Sequence, residues 1–158
     1  MSILKMIVAV GNNNIIGLNN QLPWYNKDEI RFFRDTTINN CVLMGRKTFE
    51  SIGKPLKDRE NVVISSKPIP GVTAINNLFE AIGYCKYHYH TIFIIGGASI
   101  YEQTIDHCDE LIISRIPYNG EGDTYFPEIN TNIWELFETE DYNSFKVERY
   151  LKKDATIS

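Results

Sequence analysis

Two adjacent acids, Asp28 and Glu29, follow directly on the loop "GLNNQLPWYNK" and open an amphipathic stretch. On a helix, positions three and four apart share a face. Asp28 then lies with Arg31 and Asp35, a charged set suited to water, whereas Glu29 lies with Phe33 and Thr36. A carboxylate above a phenyl ring and behind a Pro-Trp loop loses part of its hydration, which raises its pKa. Glu29 also reads as a solvated glutamate near a helix start, and residue types alone leave both readings open. Three further stretches carry groups suited to a phosphate. "VLMGRKTFESIGKPL" leaves a strand at Gly45 and opens a helix with Arg46, Lys47 and Thr48, offering N–H groups and two cations. "VVISSKP" ends in two hydroxyls and Lys67, and "IFIIGGASIYEQ" passes through Gly96-Gly97 into a helix, so backbone can approach an anion closely. The last is neither GxGxxG nor a P-loop, since Ala98 follows the glycine pair and GK[ST] is missing. Each stretch is equally a tight turn leaving a strand. Taken together, all three fall at C-terminal ends of predicted parallel strands, where α/β sheets bind ligands. One nucleotide with a pyrophosphate and a further phosphate accounts for all three.

The elements that must hold these groups show as short, dense apolar runs: Met6 to Val10, Cys41 to Met44, Val62 to Ile64 and Ile92 to Ile95. Rich in Val, Ile and Phe with little polar alternation, they fit strands covered on both faces. Leu111 to Ile116 adds a fifth, more alternating strand. Trp134 to Thr139 and Phe145 to Leu151 alternate apolar and polar residues, which predicts an antiparallel pair at the sheet's edge, with Phe145, Val147, Arg149 and Leu151 on one side. Helices are predicted over Lys27 to Thr36, Lys47 to Ile52, Leu78 to Tyr84 and Ser99 to Ile105. Strand and helix alternate over the first two-thirds of the chain. The fold class expected is therefore α/β: a single domain over residues 1–158, with a central, mostly parallel sheet, antiparallel C-terminal edge strands and about four flanking helices.

A chain of 158 residues can bury a sizeable core as one domain. The net charge of −4 disfavours nucleic-acid binding through a general basic surface. Cys41, Cys85 and Cys108 are an odd number without CxxC spacing, which suggests reduced core thiols, and His88, His90 and His107 show no zinc-ligand spacing with them. No metal is expected. The N-terminus has no secretory signal pattern, and no apolar run approaches the ~20 residues that span a bilayer. Soluble and cytoplasmic is the expectation, with no membrane partner.

The segments "AVGNNNIIGLNNQLPW", "EIRFFRDTT", "VLMGRKTFESIGKPLKDR", "NVVISS", "IFIIGGASIYEQ" and "EGDTYFP" occur in an order and spacing that resembles dihydrofolate reductases from Met1 to about Tyr150. The resemblance implies NADPH as cofactor and reduction of 7,8-dihydrofolate to tetrahydrofolate, by hydride transfer to pterin C6 and protonation of N5, in support of one-carbon metabolism and thymidylate synthesis. It places the family's one buried acid, five residues after the loop tryptophan, at Glu29. It gives catalytic roles to Glu29, Trp24, whose indole N–H would hold a water, and Leu22 on the mobile loop over the nicotinamide. Ile7, Val8 and Ala9 would lie beside the pterin. Phe33, Ile52 and Leu56 would sandwich the pterin and benzoyl rings, and Arg59 would fork onto the α-carboxylate of the glutamate tail. Ile95 and Tyr101 would line the pterin and nicotinamide pocket, and Ser114 stands where the family usually has threonine.

For NADPH the resemblance implies Ala9 and Ile16 at the carboxamide, and Gly45, Arg46, Lys47 and Thr48 at pyrophosphate and 2′-phosphate. It places Ser65, Ser66 and Lys67 around the adenosine, and Gly96, Gly97, Ala98, Ser99 and Ile100 around the pyrophosphate, with Ile95 and Tyr101 near the nicotinamide. Ala98 replaces a third glycine of many relatives. Ser99 replaces an arginine of some, so NADPH preference would rest on Arg46, Lys47, Ser66 and Lys67. Antifolates would bind the same site, and a monomer is expected. Two rivals remain open: a pyrimidine reductase of the riboflavin pathway, which should lack the LPW loop and the acid-Phe helix, and a catalytically idle nucleotide-binding module.

Overall fold

The computed structural model describes residues 1–153; the last five residues of the expected domain lie outside it. In chain order the elements are β1 (Ile3–Val10), β2 (Ile15–Gly17), α1 (Lys27–Thr37), β3 (Cys41–Gly45), α2 (Arg46–Ile52), β4 (Glu60–Ile64), β5 (Thr73–Ile75), α3 (Leu78–His88), β6 (Thr91–Ile94), α4 (Ala98–Thr104), β7 (Glu110–Arg115), β8 (Thr124–Tyr125), β9 (Trp134–Asp141) and β10 (Lys146–Lys152). Eight strands form one sheet in the order β5-β4-β3-β6-β1-β7-β10-β9, parallel from β5 to β7 and antiparallel where β10 joins β7 and β9 joins β10. β2 and β8 make a separate small antiparallel ribbon. This is the expected α/β domain with antiparallel strands at its C-terminal edge.

Side-chain alternation along each strand divides the core into two layers. Leu4, Met6, Val8 and Val10 of β1 face one layer, together with Leu43, Ile92, Ile94, Leu111 and Ile113, and α3 and α4 cover them through Ala81, Ile82, Cys85 and Tyr101. Ile7 faces the other, with Val42, Met44, Val63, Phe93 and Ile112, under Phe32 of α1. The dense apolar runs thus have the reason expected of them: both sheet faces are covered.

Several expectations need correction. β7 is buried at Glu110 through Ser114 rather than alternating, because β1 and β10 flank it and both layers cover it. Leu151 lies on the same side as Phe145 and Val147, but unlike them it is 45% exposed. Its partner on β7 is Glu110, and at that end of the sheet the face carries ion-paired Lys5, Glu110 and Arg149 instead of a helix. α3 continues to His88, four residues past the expected end at Tyr84. Cys41, Cys85 and Cys108 are buried free thiols, with Cys41 and Cys85 sulfurs 3.7 Å apart. Among the described residues no helix is long and apolar enough to cross a membrane, and no group of three or more metal-ligating side chains comes together.

Candidate active site

The C-terminal ends of β1, β3, β4 and β6 point the same way because these strands are parallel, so the three glycine- and hydroxyl-bearing junctions share one edge of the sheet. α1 lies on the Ile7 face and starts beside that edge. Asn26 caps it, its side chain accepting from the Glu29 N–H at 3.0 Å. The helix turns Asp28 outward, where it accepts from the Ser144 hydroxyl at 3.3 Å, and buries Glu29 to 7% exposure. Burial alone pushes the Glu29 carboxyl up to about 7. Of the two acids, Glu29 is thus buried against the core and Asp28 meets water.

Around Glu29 the same layer presents half-buried Ala9, Trp24, Phe33, Phe49, Ile52, Leu56, Ile95 and Tyr118. These side chains are partly exposed and form an apolar face over that core layer, the candidate cleft. Ala9 pairs with Ser114 across β1 and β7, placing the Ser114 hydroxyl on the floor beside it. Among the described residues, the Ser114 Oγ and the Trp24 Nε1, and on the other core layer the Trp134 Nε1, are buried without a protein partner. Buried polar groups are nearly always satisfied, so the first two point to something polar that the cleft accepts. Tyr101, although fully buried in the opposite layer, sends its hydroxyl to the Ile7 carbonyl at 3.0 Å. Burial raises its pKa, and the Glu29 charge adds to the rise. Val8 differs from its neighbours: its side chain faces the α3 and α4 layer, so only its backbone is available to the cleft.

Arg59 is half-buried and held by protein on two sides, with Nε donating to the Lys57 carbonyl at 2.9 Å and Nη1 to the Thr37 hydroxyl at 3.1 Å. Burial lowers its pKa, Asp58 opposes and Arg34 adds to the lowering. Leu22 is 53% exposed on the loop after β2, which is tied back by the Asn19 N–H donating to Asp123 at 3.0 Å and the Asp123 N–H donating to the Gly17 carbonyl at 2.9 Å. Ile16 is half-buried on β2.

The two glycine loops touch. The Gly45 N–H donates to the Gly96 carbonyl at 2.9 Å. A Cβ on Gly45 would stand 3.3 Å from Ile100, and one on Gly97 would stand 3.2 Å from the Thr48 hydroxyl. Gly96 has φ of 125°, which favours glycine, and the Gly96-Gly97 peptide is cis. Bare backbone therefore lines the seam between α2 and α4, with Arg46, Lys47, Ser66 and Lys67 exposed around it. Ser65 is committed differently: its hydroxyl donates to the Lys67 carbonyl at 2.8 Å and accepts from the Lys67 N–H at 3.1 Å, shaping the loop. That loop borders a surface hollow of about 340 Å³ reaching to Val72, Ala74 and Asn76. Ala98 begins α4, and the exposed Ser99 hydroxyl accepts from Gln103 at 3.0 Å. Phe49, Tyr118, Thr37 and Asn26 belong to the site's architecture and escaped the sequence reading. Phe49 carried a signal, since it precedes Ile52 by one helical turn, and so did Asn26, an asparagine directly before the predicted helix.

A family model described as "Dihydrofolate reductase" matches residues 3–153. The chain is 36% identical over 140 residues to a dihydrofolate reductase of Bacillus subtilis, covering 87% of this chain and 83% of that one. It is 37% identical over 134 residues to that of Haemophilus influenzae, with 84% and 83% covered. A solved dihydrofolate reductase of Enterococcus faecalis, complexed with NADP(H) and RAB-propyl, superposes with a TM-score of 0.87 at 32% identity, covering 96% of this chain and 97% of that one.

Proposed function

The chain belongs to the dihydrofolate reductase family, and on that premise we propose that its cleft binds dihydrofolate against Glu29 and NADPH along the Gly45 and Gly96-Gly97 loops. The activity is NADPH-dependent reduction of 7,8-dihydrofolate to tetrahydrofolate, which feeds one-carbon metabolism. One observation carries the assignment of the chemistry: a single carboxyl, Glu29, is buried on the wall of an apolar cleft with its pKa raised to about 7.

In its ionised form Glu29 offers two oxygens to the 2-amino and N3 hydrogens of a pterin, a paired contact that fixes the ring's orientation. A carboxyl poised near neutral pH is also suited to feeding a proton towards N5. The Trp24 N–H and the Ser114 hydroxyl, lacking protein partners, supply the donors and acceptor for a relaying water. Ile7 and Ala9 form the floor, while Phe33, Ile52 and Leu56 exclude water from the rings. Arg59 takes the tail's α-carboxylate. Leu22, exposed on a tethered loop, closes over the reacting centre.

The bare seam between the glycine loops, where a Cβ would press 3.2–3.3 Å from neighbouring side chains, fits a pyrophosphate backed by Arg46 and Lys47. NADPH, when bound, supplies the hydride that pterin C6 receives. Ile16 and the Ala9 backbone orient the carboxamide, Thr48, Ala98, Ser99 and Ile100 border the phosphates, and Ser66 and Lys67 border the adenosine. With Ser99 engaged by Gln103, discrimination for the 2′-phosphate falls to Arg46, Lys47, Ser66 and Lys67. We further propose a cytoplasmic monomer that binds antifolates at the same cleft. Purified protein should consume NADPH only when dihydrofolate is present; no dihydrofolate-dependent loss of reduced-nicotinamide absorbance would overturn the reading.

A further inference from the structure

Cys41 opens β3, and Cys85 stands in the last turn of α3, 44 positions further along the chain. Both side chains face the core layer that α3 and α4 cover, and both are buried to 1% exposure or less. Their sulfurs lie 3.7 Å apart, with the Cys41 thiol donating to Cys85. Closing that gap to the ~2.05 Å of a disulfide asks each sulfur to move about 0.8 Å, within reach of small side-chain rotations. Cys108 is equally buried, but its thiol donates to the Thr104 carbonyl at 3.4 Å instead.

The bond donated to Cys85, and then burial, raise the Cys41 pKa, so the folded protein holds this sulfur as a thiol rather than as the nucleophilic thiolate. An oxidant reaches the pair only through a local opening. Cys85 lies where such an opening costs least. Its carbonyl accepts the Tyr89 N–H that caps α3, at 2.8 Å, so unwinding the last turn of the helix uncovers it.

We propose that Cys41 and Cys85 are a latent disulfide site, oxidised by small-molecule disulfides when the end of α3 opens, whose bond fastens α3 to the central sheet. A thiolate formed on opening attacks one sulfur of the small disulfide, giving a mixed disulfide and releasing a small thiolate. The second cysteine sulfur then attacks the protein sulfur of that mixed disulfide and displaces the other half. In sum, two protein thiols become one S–S bond, and the small disulfide leaves as two thiols carrying the two electrons and two protons. The new bond lies on the sheet face opposite α1 and Glu29, and about 13 Å along β3 from Gly45, so it leaves the candidate cleft intact. In a reducing compartment the pair rests as thiols. Contact between buried thiols is also what close packing alone produces, because cysteine serves as a small hydrophobe.

Oxidation of the full chain separates the two. The protein is incubated with oxidised glutathione without denaturant, quenched in acid and cleaved after Lys and Arg, which puts the three cysteines on separate peptides, residues 35–46, 60–86 and 87–115. The expected product joins 35–46 to 60–86 and leaves 87–115 unlinked. The urea midpoint of the oxidised protein should rise by about 1–2 M, since the bond closes a long loop in the unfolded chain, and dithiothreitol should return it. The rise should vanish in Cys41→Ala and in Cys85→Ala and persist in Cys108→Ala. Turnover of the oxidised and reduced forms should agree within about twofold, and a larger loss overturns the bond's separation from the cleft. Peptides that stay unlinked, or that join only in urea, mean packing alone and overturn the proposal. A link to Cys108, or oxidation that leaves the midpoint unmoved, overturns it as well.

Discussion

Replacing Glu29 by Gln removes one ionisable proton from the cleft while keeping its shape, and the structure sets what that should do to stability. In the unfolded chain the carboxyl ionises near 4.5, and in the folded protein burial moves it to about 7. Between those values the folded protein keeps a proton that the unfolded chain has released. Stability from this group is therefore full below the unfolded value, falls as pH rises towards the folded value, and levels off above it. The interval of 7 minus 4.5 pH units, at 1.36 kcal/mol each, corresponds to about 3 kcal/mol of native stability given up at alkaline pH. Glu29→Gln has no such loss. Urea unfolding of both proteins should give similar stabilities near about pH 4.5, with the variant gaining about 3 kcal/mol by about pH 8. That gain corresponds to a melting temperature higher by roughly 6–12 °C. Activity should move the opposite way, with Glu29→Gln slower by about 10²–10³-fold near neutral pH. The native kcat/KM should fall about tenfold per pH unit above about 7, since that parameter reports the free protein's ionisation. A stability difference independent of pH would refute the burial of this carboxyl in its protonated form.

Asp28→Asn should leave turnover within about twofold of native, because its carboxylate is exposed and accepts from the Ser144 hydroxyl at the surface; strong damage would mean the wrong acid was assigned. Arg46→Ala should raise KM for NADPH by about tenfold or more while leaving KM for NADH nearly unchanged, and a parallel rise in both would move the 2′-phosphate elsewhere. Gly97→Ala sets a methyl 3.2 Å from the Thr48 hydroxyl and narrows the seam. Calorimetric titration should show NADPH affinity falling by about tenfold or more, with Thr48→Ala recovering part of it.

Much of this was readable in advance where one physical rule dominated. Strands buried on both faces announce themselves as unbroken apolar runs, and β1, β3, β4 and β6 lie where those runs stand. Helical spacing set Glu29 with Phe33 and Asp28 with Arg31, but left open whether Glu29 was buried; the family resemblance favoured burial. Short elements escaped: β2, β5 and β8 are three, three and two residues long, too brief for any period to show. Side-chain direction at the end of β1 was invisible until the sheet's two layers were known, which is why Val8 was expected beside Ile7 and Ala9. Long-range bonds left no trace in local pattern either. Asn26 reaches Ser144 across 118 positions, and Arg59 reaches Thr37 across 22, contacts that only the folded chain brings together.

The most direct measurement is a carbon-13 NMR titration of the Glu29 carboxyl, assigned by its disappearance in Glu29→Gln. A midpoint near about 7 is predicted for the free protein, moving below about 5 when a diaminopteridine binds and holds the ionised form. A free-protein midpoint near 4.5, unmoved by the ligand, would contradict the claim that this carboxyl is the buried group that grips the pterin.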